Sequence, residues 1–160
     1  MSTPDCIVLH SKSSSETKRI GARIGKLLRA GDVLLLQGEL GSGKTTLTQG
    51  IGEALAVKEP VKSPTFVLMN EYHGRLVIYH ADLYRLNDPG EVVDLALEEV
   101  PAEGVLIVEW PDRAWRELPP EHLLVRLEEA SARERTITIA ARGERYGELL
   151  AALNAGSKKR

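Results

Sequence analysis

The spacing of apolar positions changes along the chain, and each change predicts an element. "DCIVLH" is a short apolar run of strand length. "SSSETKRIGARIGKLLRAG" then sets Ile20, Ile24, Leu27 and Leu28 at helical intervals before Gly31 closes the helix. The entry falls in a serine cluster, where Ser13 or Ser14 can accept a backbone N–H as N-cap and Glu16 can complete a capping box. "VLLLQG" is apolar without alternation, the pattern of a parallel strand covered on both faces, and it feeds directly into a glycine-rich turn. A second helix follows from Lys44 to about Ala56, with Leu47, Ile51, Ala54 and Leu55 on one face.

Further along, "TFVLMNEY" and "RLVIYHADLY" flank a short link containing Gly74 and predict a β-hairpin. "DPGEVVDLALEEV" predicts a helix entered through Asp88 and Pro89 and ended by Pro101. "GVLIVEW" is a second continuous apolar strand, and it ends on a carboxylate. After the proline-bounded "PDRAWRELPP" come two partly alternating runs, "HLLVRLEE" and "RTITIAAR", and a closing helix in "ERYGELLAALNAG". With no internal repeat or linker-like stretch, one domain over residues 1–160 is expected, with a mixed sheet and flanking helices.

Composition narrows the function classes. The chain of 160 residues is 42% hydrophobic and 28% charged, the profile of an ordinary soluble domain, without an apolar span for a membrane or a secretory leader pattern at its start. A formal net charge of −2 offers no bulk attraction for nucleic acid. The basic end, residues 156–160, is expected to be a disordered tail. Cys6 is the only cysteine, which excludes an internal disulfide, fits the cytoplasm and suggests a small buried apolar side chain. His10, His73, His80 and His122 lack metal-ligand spacing and are expected to be structural.

The chemistry concentrates in "GELGSGKTT". Gly38, Gly43, Lys44 and Thr45 fit the Gly-x-x-x-x-Gly-Lys-Ser/Thr template of a phosphate-binding loop, with a buried strand before it and a helix after it. That context lets successive backbone N–H groups, including those of Glu39, Gly41, Ser42 and Gly43, converge on phosphate oxygens with the positive end of a helix behind them. Lys44 would reach the β- and γ-phosphates, Thr45 would offer its hydroxyl to Mg²⁺, and Thr46 would bond a further phosphate oxygen. Hydrolysis also needs an acid that organises the metal and a group that positions water. Glu109, at the end of "VLIVE", is the first choice for the metal side; Asp82, after "LVIYHA", is the better choice for water. Thr65 in "KSPTF" could present a hydroxyl to Mg²⁺ or the γ-phosphate, or could simply start a strand. Trp110 and Trp115 flank Glu109 and could wall the site or pack in the core. Arg133 and Arg135 lie in a turn from which one could reach the nucleotide. The fold class is therefore α/β, a single-domain P-loop NTPase fold with a central, mostly parallel sheet carrying an antiparallel hairpin.

Four segments in order, "GELGSGKTTL", "VKSPTFVL", "YHADLYRL" and "VEWPDR", resemble the bacterial TsaE family. The resemblance spans about Ser13 to Arg135. It implies a small ATPase with an ATP/ADP and Mg²⁺ site, weakly active alone, working with the partner proteins TsaB and TsaD to form threonylcarbamoyladenosine at position 37 of tRNAs reading ANN codons. Contact with tRNA would be indirect, through the complex. By the same resemblance, Lys44, Thr45 and Thr46 bind phosphate and metal, Glu109 helps hold the metal, Asp82 is needed for activity, and Ser14 and Arg133 touch nucleotide, with Arg135 an alternative to Arg133. The competing readings are a small-molecule P-loop kinase, disfavoured by the lack of a clustered arginine lid, and a nucleotide-dependent binding module. A GTPase lacks its Asn-Lys-x-Asp and Asp-x-x-Gly segments here.

Overall fold

The computed structural model describes residues 5–62, 69–86, 88, 90–91 and 103–158. In chain order these form β1 (Cys6–Ser11), α1 (Ser14–Leu27), β2 (Val33–Gln37), α2 (Lys44–Ala54), β3 (Met69–His73), β4 (Val77–Asp82), β5 (Gly104–Glu109), two short 3₁₀ turns (Pro111–Arg113 and Trp115–Glu117), β6 (His122–Glu129), β7 (Arg135–Arg142) and α3 (Glu144–Lys158). The strands make one seven-stranded sheet in the order β1-β7-β6-β2-β5-β4-β3. β2 pairs in parallel with both β6 and β5, and β5 with β4. The expected hairpin pairs β3 with β4 antiparallel, and β7 runs antiparallel to both β6 and β1. The sheet is thus parallel at its centre and antiparallel toward both edges.

This layout follows from side-chain burial. Leu34 and Leu36 point to one face of β2 and Leu35 to the other, and all three are fully buried. A fully buried leucine stabilises by roughly 1.5–3 kcal/mol, so an unalternating strand gains most at the sheet centre. The larger core lies between one sheet face and the three helices, joining Ile20, Ile24, Leu47, Ile51, Leu149 and Leu153 to Ile78, Ile107 and Leu36. On the opposite face Val33, Leu35, Leu106 and Val108 are covered by Leu83, Leu86, Ala114 and Leu118. α1 and α2 touch through glycines: a Cβ on Gly21 would run into the Leu47 carbonyl, and one on Gly50 into that of Lys18.

Ser13 is the N-cap of α1, its Oγ accepting from Glu16 N at 3.1 Å, while Glu16 Oε2 accepts from Lys12 N at 2.7 Å. The capping box therefore closes one residue further back than the N-cap, and Ser14 becomes the first helical residue. Two expectations change. Cys6 is exposed, because β1 is an edge strand on which Ile7, not Cys6, turns toward the core. α3 continues to Lys158, past the expected start of a tail at 156. The helix expected between Asp88 and Pro101 lies almost wholly outside the described residues, as does Thr65.

Candidate functional site

The central strand β2 delivers residues 38–43 to the C-terminal edge of the sheet, between parallel neighbours on both sides, where open α/β sheets bind ligands. Gly41 (φ 81°) and Gly43 (φ 106°) take left-handed conformations that disfavour any side chain. At Gly38 the constraint is space, since a Cβ would stand 2.5 Å from Ser42 Oγ and 2.6 Å from the Leu127 carbonyl oxygen. Gly43 is the N-cap of α2 and offers no side-chain acceptor, so the amides of the first helical turn are left to face an anion. The buried Ser42 Oγ likewise has no hydrogen-bond partner among the described residues.

Lys44, 5% exposed, folds back over this loop. Its Nζ donates to the carbonyls of Gly38 at 2.5 Å and Glu39 at 3.1 Å and lies 4.5 Å from the centre of the Trp110 ring. Burial pushes the ammonium below the ordinary lysine range, while Glu109, Asp82, Glu39 and Asp112 pull it back up. Lys44 is therefore the cation of an acid-lined cleft of about 310 Å³ that also has Gly41, Thr45, Thr46, Asp82, Glu109 and Trp110 on its walls.

The two acids arrive by strand register. Asp82 and Glu109 are the last residues of β4 and β5 and stand opposite each other in the parallel ladder, on the face that α2 covers. Asp82 Oδ1 accepts from Tyr84 N at 2.9 Å, an Asx turn that ends the strand. Glu109 is 2% exposed, and its Oε2 lies 2.6 Å from His80 Nε2. Trp110 then turns left-handed (φ 58°, ψ 50°), a conformation that costs about 1–3 kcal/mol in a bulky residue. Pro111 bars the right-handed helical alternative, Trp110 N donates to the Leu36 carbonyl at 3.2 Å, and the ring packs on Tyr84 at 4.9 Å.

A second cleft of about 430 Å³ opens on the other flank of the loop, sharing Gly41, Gly43 and Thr46 with the first. Ser14, Arg133 and Arg135 line it. The turn from β1 delivers Ser14 there: Ser11 Oγ donates to the Ser13 carbonyl at 2.8 Å and bonds Thr17 Oγ1 at 2.7 Å. Arg133 and Arg135 do different things. Arg133 is exposed at the rim, whereas Arg135 donates to the carbonyls of Gly41 (3.1 Å) and Ser42 (3.2 Å).

The structure thus gathers Lys44, Thr45, Thr46, Gly41, Ser42, Gly43, Asp82, Glu109 and Trp110 around the loop and Ser14 and Arg133 on its flank. Glu39 touches Lys44 through its carbonyl and borders a neighbouring cleft; Trp115 is 42% exposed and is not on these walls. Two contacts lie beyond what the sequence reading names. His80, expected to be structural, stands two residues before Asp82 and shares its strand face, a period-two relation, and its contact is with Glu109. The bracing of the loop by Arg135 had no such signal, because it depends on how β6 and β7 meet residues far away in sequence.

An oxygen-rich set of Thr45, Asp82 and Glu109 beside a ring of loop amides fits Mg²⁺ carried on phosphate oxygens. Among the described residues no group of three or more His, Cys, Asp or Glu is placed to hold a metal ion by itself. No helix among the described residues is long and apolar enough to cross a membrane.

Fold and site define a class: a small α/β protein whose working surface is a glycine loop between a central strand and a helix, faced by two strand-end acids. The family described as "Threonylcarbamoyl adenosine biosynthesis protein TsaE" matches residues 11–137, and the chain belongs to that family. The curated tRNA threonylcarbamoyladenosine biosynthesis protein TsaE of Bacillus subtilis (strain 168) is 44% identical over 133 residues, 82% of this chain and 83% of that one. Its namesake in Treponema pallidum (strain Nichols) is 40% identical over 131 residues, 81% and 97% of the two chains. Among solved structures, the crystal structure of Bacillus subtilis YdiB superposes with a TM-score of 0.80 at 34% identity, covering 95% of this chain and 96% of that one.

Proposed function

We propose that the protein binds and hydrolyses ATP with Mg²⁺, and that with TsaB and TsaD partners it serves formation of the threonylcarbamoyl group on adenosine 37 of tRNAs reading ANN codons. Membership of a family whose curated members are named for this biosynthesis supports the pathway. The observation that carries the chemistry is the convergence of Lys44, Thr45, Asp82 and Glu109 on one cleft at the N-terminus of α2.

In this reading, the amides of Gly41, Ser42 and Gly43 and the Lys44 ammonium grip the phosphates, and Thr46 adds a hydroxyl. Mg²⁺, when bound, neutralises charge developing on the phosphate oxygens. Thr45 and Glu109 would hold it, directly or through water, and Asp82 would orient the attacking water. The Trp110 ring shields Lys44 from solvent and keeps the cleft shaped. Ser14 and Arg133 would flank the nucleoside end in the second cleft. Thr65, in the segment "KSPTF", would present a hydroxyl to Mg²⁺ or the γ-phosphate. A cytoplasmic location fits the reading.

Phosphate release tests this. Turnover should be slow for the protein alone and should rise when TsaB and TsaD are added. Fast turnover indifferent to both partners would remove the partner-dependent role, and stoichiometric transfer to a metabolite would favour the small-molecule kinase.

A further inference from the structure

His80 is completely buried on β4, with its Nε2 2.6 Å from Glu109 Oε2 and its ring tilted against Tyr72, centroids 6.3 Å apart. Its second nitrogen, Nδ1, is also buried and has no hydrogen-bond partner among the described residues. That asymmetry fixes the tautomer. A proton on Nδ1 would be an orphaned buried donor and would leave the bare Nε2 lone pair facing the Glu109 carboxylate at 2.6 Å, two acceptors with no proton between them, whereas a proton on Nε2 satisfies that contact. The proton therefore sits on Nε2 and is donated to Glu109 Oε2. The acid is held at one oxygen by a group that the strand ladder itself places, since His80 and Asp82 share a face of β4 and Asp82 stands opposite Glu109.

We propose that His80 is a positioning residue: its Nε2–H locks the Glu109 carboxylate in a single orientation, leaving Oε1 to serve the metal side of the cleft. This rests on the Mg²⁺-nucleotide reading above. Hydrogen-bonded partners behind metal-binding carboxylates and histidines typically change metal affinity by about 10–100-fold when removed. A histidine filling space alone would have no such effect.

Manganese binding, read by electron paramagnetic resonance as a stand-in for magnesium, separates these roles. In the ADP complex, His80→Asn, which withdraws the donor from the Nε2 position, should weaken Mn²⁺ binding about tenfold or more. His80→Gln, whose amide reaches the same position, should stay within about threefold of the parent, by the same logic. ADP affinity measured without metal should be unchanged in both. Equal losses in the two variants, or a His80→Asn protein that binds Mn²⁺ like the parent, would overturn the proposal. A parent protein whose ADP complex takes up no Mn²⁺ would instead overturn the magnesium site, and this inference with it, so the two failures are distinct. The unaltered protein gives a check free of folding effects. Its imidazole ¹⁵N resonances should show a proton on Nε2 of His80 and none on Nδ1, and the opposite tautomer would refute the lock.

Discussion

The Arg135 guanidinium on β7 donates to the carbonyls of Gly41 and Ser42, at 3.1 and 3.2 Å, and also to the carbonyls of Ser131 and Glu134 in its own turn, each at 3.0 Å. One side chain thus ties the glycine loop to the β6–β7 turn and holds two of its carbonyls in place. Charged hydrogen bonds of this kind contribute about 1–2 kcal/mol at a partly exposed site. Arg135→Ala should weaken ADP binding roughly 5–30-fold, whereas Arg133→Ala, which releases no loop contact, should have a smaller effect. Equilibrium titration of both variants checks the order.

Lys44 makes stability depend on pH with a definite sign. Burial lowers its folded pKa below the unfolded value, so across that interval the unfolded chain binds the extra proton and stability rises with pH. The burial penalty is present in full below the folded pKa and is gone once pH reaches the ordinary lysine range. Lys44→Met should therefore melt above the parent near neutral pH, with the gap shrinking in alkaline buffer. Thermal denaturation over a pH series measures this, and a gap that widens with pH would contradict it.

Asp82 and Glu109 should separate kinetically even though they are paired in register. Glu109→Gln should weaken metal-dependent nucleotide binding, and Asp82→Asn should leave binding near the parent while lowering turnover about 10²-fold or more. Parallel binding and phosphate-release measurements distinguish them. Equal effects of both variants on affinity would mean that the two acids share the metal.

Two changes at residues that do not line the clefts should cost stability. Asp32, 3% exposed at the other end of β2, is paired with Arg145 at 2.7 and 2.9 Å. Arg145→Ala removes the charged partner of that buried acid, which keeps its bond from Arg29 N at 2.7 Å, and should cost about 2–3 kcal/mol, allowing for the partial exposure of Arg145. Gly21→Ala forces a methyl against the Leu47 carbonyl between α1 and α2 and should cost about 1–3 kcal/mol. Chemical denaturation gives both values.

What could be read from sequence was what local pattern dictates. The unbroken run Val33–Leu36 located the central strand, the glycine spacing after it located the loop, and "VLIVE" placed Glu109 at a strand end. An N-cap at Ser13 or Ser14 and Gly74 in the hairpin link followed from short-range chemistry, and the structure selects Ser13. What lay beyond reach came from strand order. Nothing in the sequence shows that β6 lies next to β2 and so brings the β6–β7 turn, with Arg135, to Gly41, or that β1 forms an edge that leaves Cys6 exposed. His80 stands between these cases, since its strand face was readable from Asp82 but its partner on β5 was not.

In the proposed reading, the loop at the head of α2, with Lys44, grips a metal-bound adenine nucleotide. Titration calorimetry of ADP in magnesium buffer tests it most directly. A saturable one-to-one heat that disappears in Lys44→Ala is the predicted result; no heat in the parent, or the same heat in the variant, would contradict it.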